Sequence, residues 1–204
     1  MAQKKQTAEN NLYSIAARQM GVFTARQAVE AGFKDPNHSF HVKNGNWEKI
    51  RRGIYRLSRY PRTPEAEFVV YSLWSRNREG IPQGIYSHET ALSINELSDA
   101  NPAKLHMTVP PGFRRNSKIP KMLSLHKDVL APIDSAEYSG YRVTRPVRTV
   151  RDILASASAN PEIIEQALTD GLKTGIITME EMKTLYRSFP AQKHLFPKSV
   201  KKKN

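Results

Sequence analysis

The segment between residues 10 and 57 restricts the fold most, because three short helical patterns are followed by two β-rich quartets. Apolar residues at helical spacing predict a first helix that ends at Gly21; they are Leu12, Ile15, Ala16 and Met20. Thr24 and Gln27 then form a capping box, which begins a second helix that stops at Gly32. Asp35 is expected to cap a third helix, with Pro36 at its first position. Two short helices joined by a tight turn are typical of a helix-turn-helix unit.

A hairpin is predicted directly after these helices. Residues 47–50 and 54–57 are rich in β-forming side chains, and the loop Arg51-Arg52-Gly53 separates them. A three-residue loop ending in glycine is typical of a hairpin that needs a positive φ, here at Gly53. Helix, helix, helix and hairpin in this order predict an N-terminal winged helix-turn-helix domain over residues 1–60.

The charge is concentrated at the two ends of the chain. The formal net charge is +13, of which +7 lies in residues 1–60, +1 in residues 61–192 and +5 in residues 193–204. Basic residues can act merely as solubilising groups, but this segregation favours a polyanionic partner for the N-terminal domain. We therefore expect double-stranded DNA to be that partner.

The predicted third helix and the hairpin supply the candidate DNA contacts. His38, His41 and Val42 share the inner face of the helix in this register, which leaves polar side chains outward for base edges and phosphates. Phe40 also falls on the outer side. Arg51 and Arg52 at the hairpin tip suit the DNA backbone or the minor groove. The full set of expected DNA-binding residues is Arg26, Asn37, Ser39, Lys43, Asn44, Lys49, Arg51 and Arg52.

The remainder of the chain predicts a second domain of mixed structure. Two prolines make residues 61–64 a stiff linker, and residues 65–192 alternate helical patterns with a few short strands. Residues 193–204 form a basic tail that we expect to be disordered. The fold class is therefore α+β, with the winged helix-turn-helix followed by a mixed α/β domain.

Arginines in this second domain form two candidate basic surfaces. Arg114 and Arg115 lie in a predicted exposed loop, which could touch nucleic acid or an acidic partner or simply be solvated. Arg145, Arg148 and Arg151 recur at i, i+3 and i+6 along one side of a predicted helix. Because the domain is nearly neutral, pairing with its own carboxylates is the alternative for this stripe.

Four segments in order resemble the AbiEi antitoxin family of type IV toxin–antitoxin systems, which act in abortive infection. They are residues 52–57, the Ser87-His88-Glu89-Thr90-Ala91-Leu92 run, the Met107-Thr108-Val109-Pro110 run with Arg114-Arg115 after it, and residues 143–152. Together they span about residues 10–175. The resemblance implies a winged helix that represses its own operon through promoter repeats, with monomers pairing on those repeats. It also implies that the second domain is an antitoxin domain countering a nucleotidyltransferase-like toxin, without a stable complex between the two proteins.

Two alternatives stay open at this point. The chain could sequester the toxin by direct binding, with the winged helix as a docking surface. It could also be a stand-alone winged-helix repressor that has no toxin. Larger relatives in the family carry a nuclease-like extension, and we assign no such activity to this chain.

The sequence gives no support for an enzyme. Without cysteine, thiol catalysis, disulfides and cysteine-based zinc sites are excluded. Ser87-His88-Glu89 holds the residue types of a hydrolase triad, but consecutive helical residues point about 100° apart, so Ser87 is interpreted as a helix cap. No phosphate-binding glycine loop occurs. We therefore expect no catalysis, no cofactor and no metal, and a prokaryotic cytoplasmic protein without a secretory signal or a membrane span.

Overall fold

The structure, a computed structural model, describes residues 2–156 and 160–201, with side chains described from residue 6 onward. The chain is α+β and divides into two compact units. The first unit holds the described residues up to 84 together with residues 137–141, and the second holds residues 85–136 and those from 142 on. No helix in the described ranges combines the length and apolar character needed to cross a membrane.

The first unit begins with three helices and a small antiparallel sheet. Its elements are α1 (Ala2–Ala17), β1 (Val22–Thr24), α2 (Ala25–Ala31), a 3-10 turn (Asp35–Asn37), α3 (His38–Lys43), β2 (Trp47–Arg51), β3 (Ile54–Leu57) and α4 (Ala66–Trp74). Strand β3 lies in the middle of the sheet, between β1 and β2. The hairpin β2–β3 is where the sequence predicts it, whereas β1 is an additional strand that pairs Thr24 with Ile54.

Local signals at two turns are confirmed. The Thr24 hydroxyl accepts from the Gln27 backbone N–H at 3.2 Å, and the Gln27 side chain accepts from the Thr24 N–H at 2.9 Å. Gly32 ends α2 at φ 110°, and Gly53 turns the hairpin at φ 68°, a backbone region that only glycine enters without strain. The capping box and the two glycines therefore fix the lengths of α2 and the hairpin.

The start of α3 differs from the prediction. Asp35 is not an N-cap: the 3-10 turn precedes α3, and its cap residue Lys34 makes no side-chain capping bond. The Asp35 carboxylate instead lies 3.1 Å from Nδ1 of His38. Because the 3-10 turn occupies Asp35–Asn37, α3 begins at His38 and is six residues long.

An aromatic core holds the first unit together. Trp47 packs edge-on against Phe23 and Phe33, both at 5.0 Å between ring centroids, and stacks on His41 at 4.6 Å. Leu12 and Ala16 of the predicted apolar stripe of α1 are buried in the same core. The core joins α1, α2, α3 and the hairpin, so the exposed side of α3 is presented on a fixed support.

The first unit extends beyond the predicted boundary. The linker expected at residues 61–64 lies inside this unit, and α4, which was assigned to the second domain, packs on β1 and β3. Buried apolar side chains on α4, including Val69 and Leu73, give the physical reason, because a helix of this character must cover an apolar face. The first compact unit therefore runs to residue 84 and also includes residues 137–141.

The second unit is built on a five-stranded mixed sheet. Its strands are β4 (Ile85–Tyr86), β5 (Leu105–Val109), β6 (Leu123–Lys127), β7 (Ser135–Glu137) and β8 (Arg142–Thr144), in the spatial order β6-β5-β4-β8-β7. Its helices are α5 (His88–Ile94), α6 (Pro146–Ala155), α7 (Pro161–Lys173), α8 (Met179–Ser188) and α9 (Lys198–Lys201), with 3-10 turns at Pro132–Asp134 and Pro190–Leu195. Strands β5 and β6 run parallel, whereas β4 and β5 are antiparallel.

The basic tail expected to be disordered is ordered up to residue 201. Residues 190–201 form a 3-10 turn and α9, and Leu195, Phe196 and Val200 are buried in the core with residues of α6, α7 and α8. Three apolar side chains among the lysines explain the difference, because their burial favours a folded segment. Residues 202–204 lie outside the described residues.

Candidate nucleic-acid interface

Helix α3 has one buried side and one exposed side, as its sequence predicts. His38 is 3% exposed, and His41 and Val42 are half-buried against the aromatic core. The outward side chains are all exposed: Asn37, Ser39, Phe40, Lys43 and Asn44. Four polar groups and one apolar ring therefore share the solvent side of the helix, a mixture that suits base edges, phosphate and a thymine methyl group.

His38 is the buried histidine on the inner face of α3. Burial lowers the pKa of His38, and the Asp35 carboxylate opposes this in part. No group of three metal-ligating side chains within residues 2–156 and 160–201 is placed to hold a metal ion. His38 and His41 both contact the ring of Trp47 and are part of the aromatic core.

The hairpin tip carries basic side chains in two different environments. Lys49 and Arg52 are exposed, and neither makes a side-chain hydrogen bond or ion pair with other described residues. Arg51 is half-buried: its guanidinium donates to the Tyr71 hydroxyl at 2.8 Å and lies 4.7 Å over the Tyr71 ring. Lys49 and Arg52 are therefore the available cations of the tip, and Arg51 is held by α4.

Arg26 is also engaged within the first unit. Its guanidinium pairs with Glu30 at 2.9 Å and donates to the Arg78 carbonyl at 3.2 Å. The side chain stays 54% exposed, so it remains within reach of solvent. A DNA phosphate at this position would have to compete with Glu30, which makes Arg26 a weaker candidate than Lys43 or Arg52.

Arg148 is buried and therefore does not belong to the expected basic surface of the second unit. It is 7% exposed and pairs with Asp134 at 3.0 Å, with Asp152 at 2.7 Å and with Asp128. The spacing at i, i+3 and i+6 predicts that Arg148 shares one side of the helix with Arg145 and Arg151. Of the three, Arg145 and Arg151 are exposed in the structure. The carboxylates from other segments explain the correction, because they draw this guanidinium into the unit.

The other arginines of this surface are unequally exposed. Arg114 is exposed, whereas Arg115 is half-buried, and burial lowers its pKa. Arg114, Arg145 and Arg151 are thus the solvent-exposed members of the set.

Three histidines assemble next to Ser87, a group that sequence reasoning missed. His88 stacks on His126 with 3.7 Å between ring centroids, and Nδ1 of His106 lies 3.0 Å from Nε2 of His126. The rings come from the start of α5, from β5 and from β6. In the parallel register of β5 and β6, Thr108 is the partner of His126, and His106 lies two residues before Thr108 on the same face of the sheet. The sequence carries no signal for this contact, because the pairing of β5 with β6 comes only from the fold.

Ser87 occupies the N-cap position of α5 as predicted, but its side chain makes no capping hydrogen bond. Its buried hydroxyl accepts from the Thr108 hydroxyl at 2.8 Å and lies 3.0 Å from Nδ1 of His88. Burial lowers the pKa of His88 to about 3, and the nearby His126, His106 and Arg148 add to this effect. A base this weak is a poor acceptor for a serine proton at neutral pH, since efficient general bases titrate near the working pH.

Comparison with known proteins bears on the first unit. Residues 11–58 match a family model described as "Transcriptional regulator, AbiEi antitoxin". No curated protein matches the chain. Among solved structures, the chain is similar to the crystal structure of the RV2827C protein from Mycobacterium tuberculosis, with 14% identity and a TM-score of 0.45 over 97% of this chain and 83% of that one. The resemblance drawn from the sequence is therefore confirmed over residues 11–58, where the chain matches the AbiEi antitoxin family of transcriptional regulators.

Proposed function

We propose that the first unit binds double-stranded DNA as a winged helix and represses the operon that encodes this chain. The observation that carries the proposal is the two-sided character of α3, whose inner face is buried or half-buried while its outer, mostly polar face is exposed. The matched residues 11–58 contain α3 and the hairpin, and the family is described as a transcriptional regulator. These features support a helix in the major groove with the hairpin tip as the wing.

Each candidate contact has a distinct part in this proposal. Asn37, Ser39 and Asn44 offer hydrogen-bond donors and acceptors to base edges, whereas Lys43 offers charge to a phosphate. Lys49 and Arg52 at the tip reach the backbone or the minor groove. Arg51 first has to exchange its bond with Tyr71 if it is to touch DNA. Inverted promoter repeats would then be bound by monomers that pair on the DNA.

The second part of the proposal concerns the second unit. We infer that it neutralises a nucleotidyltransferase-like toxin encoded beside it, as the family's description as an antitoxin supports. The inference does not involve a stable complex, and co-purification of the two proteins at physiological salt would contradict that point. The exposed Arg114, Arg145 and Arg151 are the candidate contact residues on this unit.

The salt dependence of DNA affinity tests whether the hairpin tip contacts DNA phosphates. We expect log K for the full chain on its promoter to fall linearly with log salt, because phosphate contacts release counterions. Arg52→Ala and Lys49→Ala should each reduce the slope by about 0.9, the value for one phosphate on duplex DNA. Fluorescence anisotropy at a series of salt concentrations measures these slopes.

A matched control comes from the second unit. Arg187 is exposed on α8, and Arg187→Ala removes the same charge from the chain without touching the hairpin. Its slope should equal that of the unchanged protein. Equal slopes for Arg187→Ala and Arg52→Ala, both below the unchanged value, would mean that net charge and not the wing governs binding.

A further inference from the structure

A cavity in the first unit is lined by three arginines. Its volume is about 340 Å³, and its wall includes Arg51 of β2, Arg56 of β3 and Arg62 of the following segment. Helix α4 also lines the cavity, with Ala66, Glu67, Val70 and Tyr71. Ligand pockets in proteins begin at about 300 Å³, so the space suits a small molecule.

Arg56 is the most informative of the three. It is 5% exposed, and its guanidinium donates to the Tyr60 carbonyl at 2.7 Å and lies 3.6 Å from the Glu48 carboxylate. Its Nε is buried and has no hydrogen-bond partner among the described residues. An unsatisfied buried guanidinium nitrogen costs free energy, so turning Nε toward an anion bound in the cavity would be favourable.

The charges around the cavity favour an anion. Three guanidinium groups line it against one carboxylate, that of Glu67. Glu48 pairs with Arg62 at 2.8 Å and lies near Arg56, so it now neutralises part of this charge. The Arg62 side chain is 75% exposed, and a pair this exposed is weak, so an incoming anion could replace Glu48 there.

We propose that this cavity binds a phosphate group carried by a small organic molecule. Arginine forks match the geometry of phosphate oxygens, and the apolar wall formed by Val22, Ile50 and Val70 accommodates the organic part. The same phosphate chemistry could be supplied by a DNA backbone, and the apolar wall favours the small molecule. The proposal does not depend on the proposed DNA-binding function.

Calorimetric titration of the full chain tests the site. Inorganic phosphate and a nucleoside 5′-monophosphate are the probes, and the monophosphate should bind more tightly because it also fills the apolar wall. Arg62→Gln should weaken both probes about tenfold, the loss expected for one charge-assisted contact. Ala66→Phe should abolish binding of the monophosphate by filling the cavity from its partly exposed rim.

The matched control is Arg78→Gln, which removes an exposed arginine of the same unit outside the cavity. It should leave both affinities within about twofold. The proposal is wrong if neither probe binds at about 10 mM, or if Arg78→Gln weakens binding as much as Arg62→Gln.

A competition experiment with duplex DNA distinguishes a free small molecule from the DNA backbone as the source of the phosphate. If the monophosphate binds equally well to protein saturated with duplex DNA, the natural ligand is a free small molecule, as we propose. If DNA displaces the monophosphate and Ala66→Phe also weakens DNA binding, the cavity holds a backbone phosphate and the small-molecule proposal is overturned.

Discussion

Arg148→Gln is expected to destabilise the second unit by about 3–5 kcal/mol, the cost of breaking a buried ion pair from one side. The guanidinium is 8% exposed and holds three aspartates together, of which Asp152 is 10% exposed and Asp134 22% exposed. Glutamine cannot neutralise these carboxylates, so they would repel one another in a partly dry environment. Burial raises the pKa of Asp152 to about 6 even with the guanidinium beside it, so loss of the guanidinium would leave a carboxyl that is costly to keep charged.

Hydrogen exchange of the full chain measures the loss of stability caused by Arg148→Gln separately in each unit. Peptides from α6 and β6 should lose protection in Arg148→Gln. Fluorescence of Trp47 and Trp74, which both lie in the first unit, should report an unchanged first unit. Arg151→Gln is the matched control on the same helix, and because that residue is exposed its effect should stay within about 0.5 kcal/mol. Unchanged protection of α6 in Arg148→Gln would show that the four charged groups do not stabilise the unit.

The histidine cluster is expected to make the second unit sensitive to acid. Burial lowers the pKa values of His88, His106 and His126, so folding favours their neutral forms. For such groups the stabilisation is complete above the unfolded pKa of about 6.5 and is lost as the pH falls toward the folded value, about 3 for His88. When the pH is lowered from 6.5 to 5, the stability contributed by His88 falls by about 1–2 kcal/mol.

Other charged groups near the cluster modify this trend. Asp152 acts in the opposite direction, since its raised pKa adds stability as the pH falls below about 6. Between pH 6.5 and pH 5 Asp152 offsets about 1 kcal/mol of the loss from His88. The lowered pKa values of His106 and His126 add to the loss, so the net effect of acid is a loss. Arg148 disfavours an imidazolium at His88, and Lys104 disfavours one at His106.

Replacement of His88 isolates the effect of the cluster. His88 has φ 53°, and asparagine tolerates this left-handed conformation better than other non-glycine residues, so His88→Asn suits the backbone. The variant should lose about 1–2 kcal/mol less stability than the unchanged chain when the pH is lowered from 6.5 to 5. Urea unfolding followed by circular dichroism measures the difference.

The control for the histidine experiment is His194→Asn. His194 is exposed in the same unit, and its replacement should leave the pH dependence as it is. His38 in the first unit also has a lowered pKa, so the tryptophan signal is followed separately from the circular dichroism. The same acid sensitivity in His88→Asn and in the unchanged chain would contradict a role for the cluster.

Local features of the fold were predictable from the sequence because they depend on neighbouring residues. The capping box at Thr24, the stop at Gly32 and the turn at Gly53 each need only a few residues, and all three are confirmed. The inner and outer faces of α3 follow from helical spacing, even though Asp35 does not cap the helix. In contrast, the three residues of β1 are too few to show a strand pattern.

Features that depend on distant segments were not predictable in the same way. Spacing places Arg148 on one side of α6, but only the fold brings Asp128 and Asp134 to it. The histidine cluster likewise joins three elements that are separated along the chain. In the tail, the lysines conceal the apolar spacing of Leu195, Phe196 and Val200, whose burial outweighs the charge.

The central claim is that the exposed face of α3 reads base edges. It is tested most directly by measuring the affinity of the full chain for its own promoter and for a scrambled duplex of equal length at one salt concentration. In the triple variant Asn37→Ala, Ser39→Ala and Asn44→Ala, the preference for the promoter should fall at least tenfold, since each base contact contributes about 1–3 kcal/mol. Affinity for the scrambled duplex should stay the same, because all the cations are retained. A preference for the promoter that survives all three substitutions would contradict the account.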